Sequence, residues 1–264
     1  MTVSDAKEGE KLAGGKLAEW LIERWERTAP QKRRVWVFGA ECDPLFFGRS
    51  SIRGHLRVPA SDLMDAVLSG EPPSYVYRFG SVGIYVLRDR GLHLVFRCGP
   101  IGQRGWGGHS HSDQLSIVLE VGGRRMLDDP GTPTYLANPD LRWAYRSGRA
   151  HNGPRAPRTE SLPRTRSVFA SPFAARGTAE LVCPWGFGGE WRSGGSTFYR
   201  TVLASTARRE VYSLLDIPVS HADVAAEDSV PWVVLVFDWL EGSGELAEPA
   251  RFVPARFFGV LGKK

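Results

Sequence analysis

Cysteine is scarce in this chain, and what there is does not pair. Cys42, Cys98 and Cys183 are odd in number, far apart and never spaced C-x-x-C, which argues against a disulfide framework or a thiolate zinc site and favours ordinary buried thiols. No run approaches the roughly 20 apolar residues that would carry a helix across a bilayer, so membrane insertion is not expected. The opening residues, Met1-Thr2-Val3-Ser4-Asp5-Ala6-Lys7-Glu8, lack the apolar stretch of a secretory signal, which as written points to the cytoplasm. We find no internal repeat and no long low-complexity tract. Residues 153–178 are rich in Pro, Arg, Ser and Ala with weak periodicity, and poor order is expected there.

What is present is a globular composition. The chain has 264 residues, 42% hydrophobic and 24% charged, enough for one large β domain with a real core. The net charge of +5 suits an acidic partner, whether nucleic acid, anionic glycan or membrane surface. Between 142 and 166, Arg142, Arg146, Arg149, Arg155, Arg158, Arg164 and Arg166 stand against the single acid Glu160. Arginine binds carboxylates and sulfates bidentately, although a solvated loop would show the same run.

Leu17, Trp20, Leu21 and Trp25 recur at helical spacing and Pro30 closes the run, so a helix is expected over 16–28. It either packs on the β domain or ends a helical one. Residues 31–75 read as a linker with short strands. From about 75 the pattern is β: Val82–Leu87 and Leu92–Arg97 form a hairpin around Asp89-Arg90-Gly91, and Leu115–Val121 and Arg124–Leu127 form another around Gly122-Gly123. Thr197–Ala204, Glu210–Asp216 and Trp232–Asp238 are further strands, with turns at Gly194-Gly195 and Pro218. The fold expected is mainly β, an antiparallel β-sandwich.

The densest chemical signal is Gly107-Gly108-His109-Ser110-His111-Ser112-Asp113, which holds two of only six histidines. In an extended segment both imidazoles share a face and can begin a metal site. The hairpin returns the chain through Leu127-Asp128-Asp129-Pro130-Gly131, and Ala150-His151-Asn152 adds an imidazole. Two histidines, a carboxylate and an open position suit a substrate-facing zinc. An ideal two-residue turn at Gly122-Gly123 sets Asp129 opposite Ser116, so His111 must curl back to meet it. A cupin barrel would need a glutamate four or five residues after the second histidine, whereas Glu120 comes nine after His111. The basic run carries no nucleic-acid-binding motif.

Gly-His-x-His-x-Asp, a β-hairpin, Leu-x-Asp-Pro-Gly-Thr-x-x-Tyr, the Tyr145-Arg146-Ser147 segment and Ala150-His151-Asn152 follow one another here as they do in heparinase II/III-like proteins. The resemblance runs over 82–152 and begins in Val82-Gly83-Ile84-Tyr85-Val86-Leu87-Arg88 and Leu92-His93-Leu94-Val95-Phe96. It implies a sandwich of the heparinase II/III C-terminal type over 76–264. Residues 1–75 are then a helical remnant and linker from a truncated α/α-toroid. It further implies a polysaccharide lyase that acts by β-elimination on an anionic, uronic-acid-containing glycan, in the periplasm or cell envelope, and not on nucleic acid. By resemblance His111, Asp129 and His151 bind zinc, and His109 and Tyr135 are the catalytic candidates. Arg142 and Arg146 are candidates for touching the glycan, and Asp113 for orienting a histidine or capping the turn.

In such lyases most of the proton transfer falls to toroid residues that this chain does not contain, so a separate toroid polypeptide is a candidate partner. The alternative is a non-catalytic carbohydrate-binding or structural sandwich that keeps zinc for stability. After His151-Asn152 the family continues as Thr-Val-x-Val-Asp-Gly, whereas Gly153-Pro154-Arg155-Ala156-Pro157-Arg158 stands here. Two prolines and no alternation cannot make that strand. A truncated gene with a local frameshift near codon 153 is the expectation that follows.

Overall fold

The computed structural model describes residues 14–20, 34–36, 52–55, 60–101, 107–153, 177–193, 196–208, 210–216, 232–233, 255–257 and 260–261. In chain order these form helix α1 (14–20), strands β1 (Arg34–Trp36) and β2 (Ile52–His55), helix α2 (Ala60–Leu68), and strands β3 (Tyr75–Phe79), β4 (Ile84–Asp89), β5 (Leu92–Arg97), β6 (Ile117–Val121) and β7 (Arg124–Leu127). Helix α3 (Pro139–Arg146) and a 3-10 turn (Gly148–Ala150) follow. Strands β8 (Gly177–Cys183), β9 (Gly186–Ser193), β10 (Ser196–Ser205), β11 (Glu210–Asp216), β12 (Trp232–Val233), β13 (Ala255–Phe257) and β14 (Val260–Leu261) complete the order.

Two sheets face each other. The first has the order β3-β4-β5-β6-β7 and the second β2-β1-β12-β11-β10-β9-β8. Every pair is antiparallel except β1 with β12, so the antiparallel sandwich expected from the sequence is what forms. Alternation explains the core. In β5, Leu92, Leu94 and Phe96 are buried while the residues between them are not, because successive side chains leave a strand on opposite faces. From across the gap Phe187, Trp191, Phe198, Val202, Ala204 and Val211 meet them, with the Phe96 and Phe187 rings stacked at 6.2 Å. Truncating a ring of this kind costs about 3–5 kcal/mol.

The outer face of the second sheet is covered by helices. Leu17 and Trp20 of α1 and Leu63, Ala66 and Val67 of α2 pack on Leu181, Cys183, Trp185, Leu203 and Tyr212, and the Trp20 indole donates to Thr201 Oγ1 at 2.8 Å. The N-terminal helix therefore packs on the β domain, one of the two placements its apolar face allows. Gly188 makes this possible, since a Cβ there would lie 2.8 Å from Trp20 Cζ2. Such glycines hid β9 from the sequence reading, which also passed over β3, β8, α2 and α3. Cys98 and Cys183 are buried free thiols whose pKa values burial pushes up to about 12 and about 11. Cys42, the expected helix beyond residue 20, the strand beyond 233, the turns at 194–195 and 218, and 154–176 lie outside the described residues. No described helix is long and apolar enough to cross a membrane.

Candidate metal centre

Both expected hairpins form. The β6–β7 turn has Gly122 at φ 57° and Gly123 at φ 78°, the left-handed pair a two-residue turn requires and glycine adopts without strain. The ladder then slips, with Glu120 opposite Arg125 but Leu119 opposite Leu127. This bulge sets the chain beyond Leu127 back toward the turn by one position relative to the ideal register. On the partner side, the segment expected to extend from Leu115 folds back instead. Ser116 N–H donates to Asp113 O, Leu115 N–H to Arg97 O and Ser112 N–H to Arg146 O, and Leu115 sits at φ 60°, alone among the described non-glycine residues in being positive. That conformation costs on the order of 1–2 kcal/mol, offset by complete burial of the leucine side chain. The curl the sequence required of His111 is thus made at 112–116.

Helix α3 shapes the other wall. Asn138 caps it, accepting from Leu141 N–H at 2.9 Å, and proline stands at its first turn, a start signal present in the sequence. Arg142 and Arg146, one turn apart on the same face, are only 6% and 5% exposed. Arg142 Nη2 donates to Gly108 O at 2.8 Å, and Arg146 donates through Nε to Ser110 O and through Nη2 to Gly107 O, each at 2.9 Å. Both guanidiniums thus grip the loop that carries His109 and His111. Burial, then the neighbouring Arg142 charge, brings Arg146 down to about 10. The other arginines of the basic run contribute no described side chain.

His111, Asp129 and His151 converge, with ligand atoms all within 4.8 Å of one another. His151 Nδ1 donates to Ser147 O at 2.9 Å, which turns Nε2 toward Asp129 Oδ2 and His111 Nδ1, each 3.2 Å away. The far nitrogen of His111 meets Thr132 Oγ1 at 3.0 Å, and Asp129 Oδ1 accepts from Gly131 N–H at 2.8 Å. A tetrahedral zinc with bonds of about 2.0–2.1 Å holds its ligand atoms roughly 3.3–3.4 Å apart; the two His151 separations match that spacing, and the His111–Asp129 pair lies within 4.8 Å. Each imidazole has its outer nitrogen occupied and its inner one aimed at the common point, as ligating histidines do. His151 keeps 1% of its side chain exposed and Asp129 38%, so Asp129 is the more accessible of the two to solvent.

The three groups shift one another's proton affinities. Burial opposes the charge on His151, but the Asp129 hydrogen bond and charge outweigh it and raise its pKa. Burial would likewise raise Asp129, yet the His151 hydrogen bond and charge bring it to about 2. Burial, then His151, lowers His111 to about 4. Asp129 thus favours the charged form of His151, while burial and His151 favour the neutral form of His111, and a divalent ion would displace a proton held between His151 and Asp129.

At the rim, His109 is exposed, and its Nδ1 lies 2.6 Å from the Tyr135 hydroxyl. The Arg142 guanidinium sits 4.8 Å from the centre of the Tyr135 ring, within cation–π range. Asp113 faces Arg97 at 3.5 Å, its charge also acts on His151, and its Oδ1 is buried without a hydrogen-bond partner. The sequence reading missed Thr132 and Ser147, which orient the two histidines, and Asn152, whose carboxamide accepts from Ile117 N–H at 2.9 Å and donates to Ile117 O at 2.7 Å. Asn152 thereby stands in for a strand neighbour beside β6.

The fold and site define a two-sheet β-sandwich with a preformed two-histidine, one-carboxylate cluster at one sheet corner. The family model for the heparinase II/III-like C-terminal domain matches residues 71–230, and the chain belongs to that family. The crystal structure of heparan sulfate lyase HepC from Pedobacter heparinus is similar at 18% identity and a TM-score of 0.39, over 55% of this chain and 22% of that one. The chain therefore spans 22% of that enzyme's length. No curated protein sequence matches it.

Proposed function

We propose that this chain is the metal-bearing part of a polysaccharide lyase that cleaves an anionic, uronic-acid-containing glycan by β-elimination. The observation that carries the reading is the convergence of His111, Asp129 and His151 beside the His109–Tyr135 pair, in a chain of this family. Zinc, when bound, would supply a positive Lewis-acid centre for anionic groups of the substrate. In the elimination a base removes the proton α to the carboxylate, the bond to the 4-linked sugar breaks, and the departing oxygen takes a proton. His109 and Tyr135 are the chain's own groups placed to hold or move a proton at that rim. Arg142 and Arg146 hold the loop that carries His109 and His111, and their positive charge would favour the approach of an anionic glycan.

Incubation of the purified chain with heparan sulfate, alginate and hyaluronan, followed by absorbance of the unsaturated uronate, tests this reading. Product from at least one glycan is expected, either alone or with a toroid-domain polypeptide added. A second reading, a non-catalytic glycan-binding sandwich stabilised by zinc, is favoured by the match to a C-terminal domain. Zinc bound with no product under either condition would select it.

A further inference from the structure

Arg200 projects from the centre of β10 into the space between the sheets, on the same side as Phe198 and Val202, and is 3% exposed. Arginine is a poor core residue, and burial, acting alone, draws its pKa down to about 9. A buried charge persists where its hydrogen bonds are satisfied, and an apolar residue of similar size often packs as well or better. The partners of Arg200 are therefore informative. Nε donates to Ser213 Oγ at 2.9 Å, within its own sheet. Nη1 crosses the gap to Leu115 O at 2.9 Å, Asn152 O at 2.8 Å and Asn152 Oδ1 at 3.1 Å.

These acceptors lie on the two segments that present the histidines. Leu115 closes the curl that carries His111, in the strained φ 60° conformation, and Asn152 directly follows His151. The Asn152 carboxamide is also clasped to Ile117, so a single guanidinium ties both segments to the start of β6. We infer that Arg200 is a positioning residue for the metal centre, a brace from the opposite sheet that sets the separation of His111 and His151. This inference rests on the metal reading above and adds to it a residue that bonds to the segments flanking two of the three ligands.

The test uses the full chain with three variants. Arg200→Met removes the charge and the fork but keeps most of the bulk. Arg200→Lys keeps the charge and loses the fork. Ser213→Ala removes only the bond within the second sheet. Zinc affinity is measured by competition with a chromophoric chelator, thermal stability on the metal-free protein, and imidazole environments by long-range 1H–15N spectra of the metal-free protein. Arg200→Met is expected to weaken zinc binding about 10–100-fold, the range for losing a residue that supports a ligand, and to move the His111 and His151 resonances without a matching loss of thermal stability. Arg200→Lys should fall between Met and wild type, and Ser213→Ala, which leaves the bonds across the gap in place, should weaken zinc binding less than either.

Wild-type affinity and unmoved imidazole resonances in a folded Arg200→Met overturn the inference. If that variant does not fold, Arg200→Lys carries the same comparison, and failure of both to fold makes Arg200 a purely structural residue and also overturns it. Should the wild-type chain bind no zinc, the metal reading falls, and the imidazole resonances of the metal-free variants still decide the role of Arg200.

Discussion

Removing one ligand, by His111→Ala, separates a metal centre from an ordinary buried hydrogen-bond cluster. In the wild-type chain His151 Nε2 stands 3.2 Å from both His111 Nδ1 and Asp129 Oδ2, and an ion that binds only the folded state stabilises it by RT ln(1 + [L]/Kd). With free zinc at about one hundred times Kd this is roughly 2.7 kcal/mol, or about 5–11 °C in Tm for a domain of this size. His111→Ala leaves two donors, and the shift should disappear along with the bound zinc. The metal-free protein gives an internal check through pH. Folded His111 titrates at about 4, below an unfolded value of about 6.5, so the unfolded chain binds the extra proton between them. Stability therefore falls as pH drops through that window, by at most about 1.4 kcal/mol per pH unit, and His111→Ala should flatten the slope. Differential scanning fluorimetry across pH with and without zinc, together with metal analysis, reads all of this. Equal zinc content in wild type and His111→Ala would refute the ligand assignment.

Other perturbations discriminate further. Tyr135→Phe loses the hydroxyl beside His109 but not the ring under Arg142, so zinc content should hold while any uronate-forming rate drops about 10²–10⁴-fold; an unchanged rate removes Tyr135 from the proton path. Arg146→Met strands the carbonyls of Gly107 and Ser110, and urea denaturation should show a loss of about 2–5 kcal/mol for two broken buried bonds. A loss below about 0.5 kcal/mol, ordinary for a surface residue, would mean the loop is held by something else. Gly188→Ala places a methyl 2.8 Å from the Trp20 ring and should cost about 1–3 kcal/mol, with Trp20 fluorescence altered. Wild-type stability there would show that α1 does not seat on β9.

The two hairpins were legible because alternation and turn residues are local. Leu92 to Arg97 writes its buried face directly, and Gly122-Gly123 writes its turn. Strand β9 was not legible, because Gly186, Gly188 and Gly189 are there to admit Val202, Trp20 and Cys98, and a glycine chosen for a distant neighbour looks like a loop residue. Helix α3 announced itself in Asn138-Pro139, but too few apolar residues followed to support it, since its inward face is made of arginines.

The sequence by itself determined the chemistry available at the centre: two imidazoles two residues apart, an acid before Pro130-Gly131 and a later histidine, in an order that resembles one family. Only the tertiary structure decided which nitrogen of each ring faces inward, that His109 pairs with Tyr135 while His111 joins the cluster, and that Arg142 and Arg146 turn to the loop. The physical reason is that these choices are made by partners remote in sequence. A bulge in β6–β7, the carbonyl of Ser147, the hydroxyl of Thr132 and a guanidinium from the opposite sheet set the geometry, and none of them leaves a periodicity or a spacing to be read in advance.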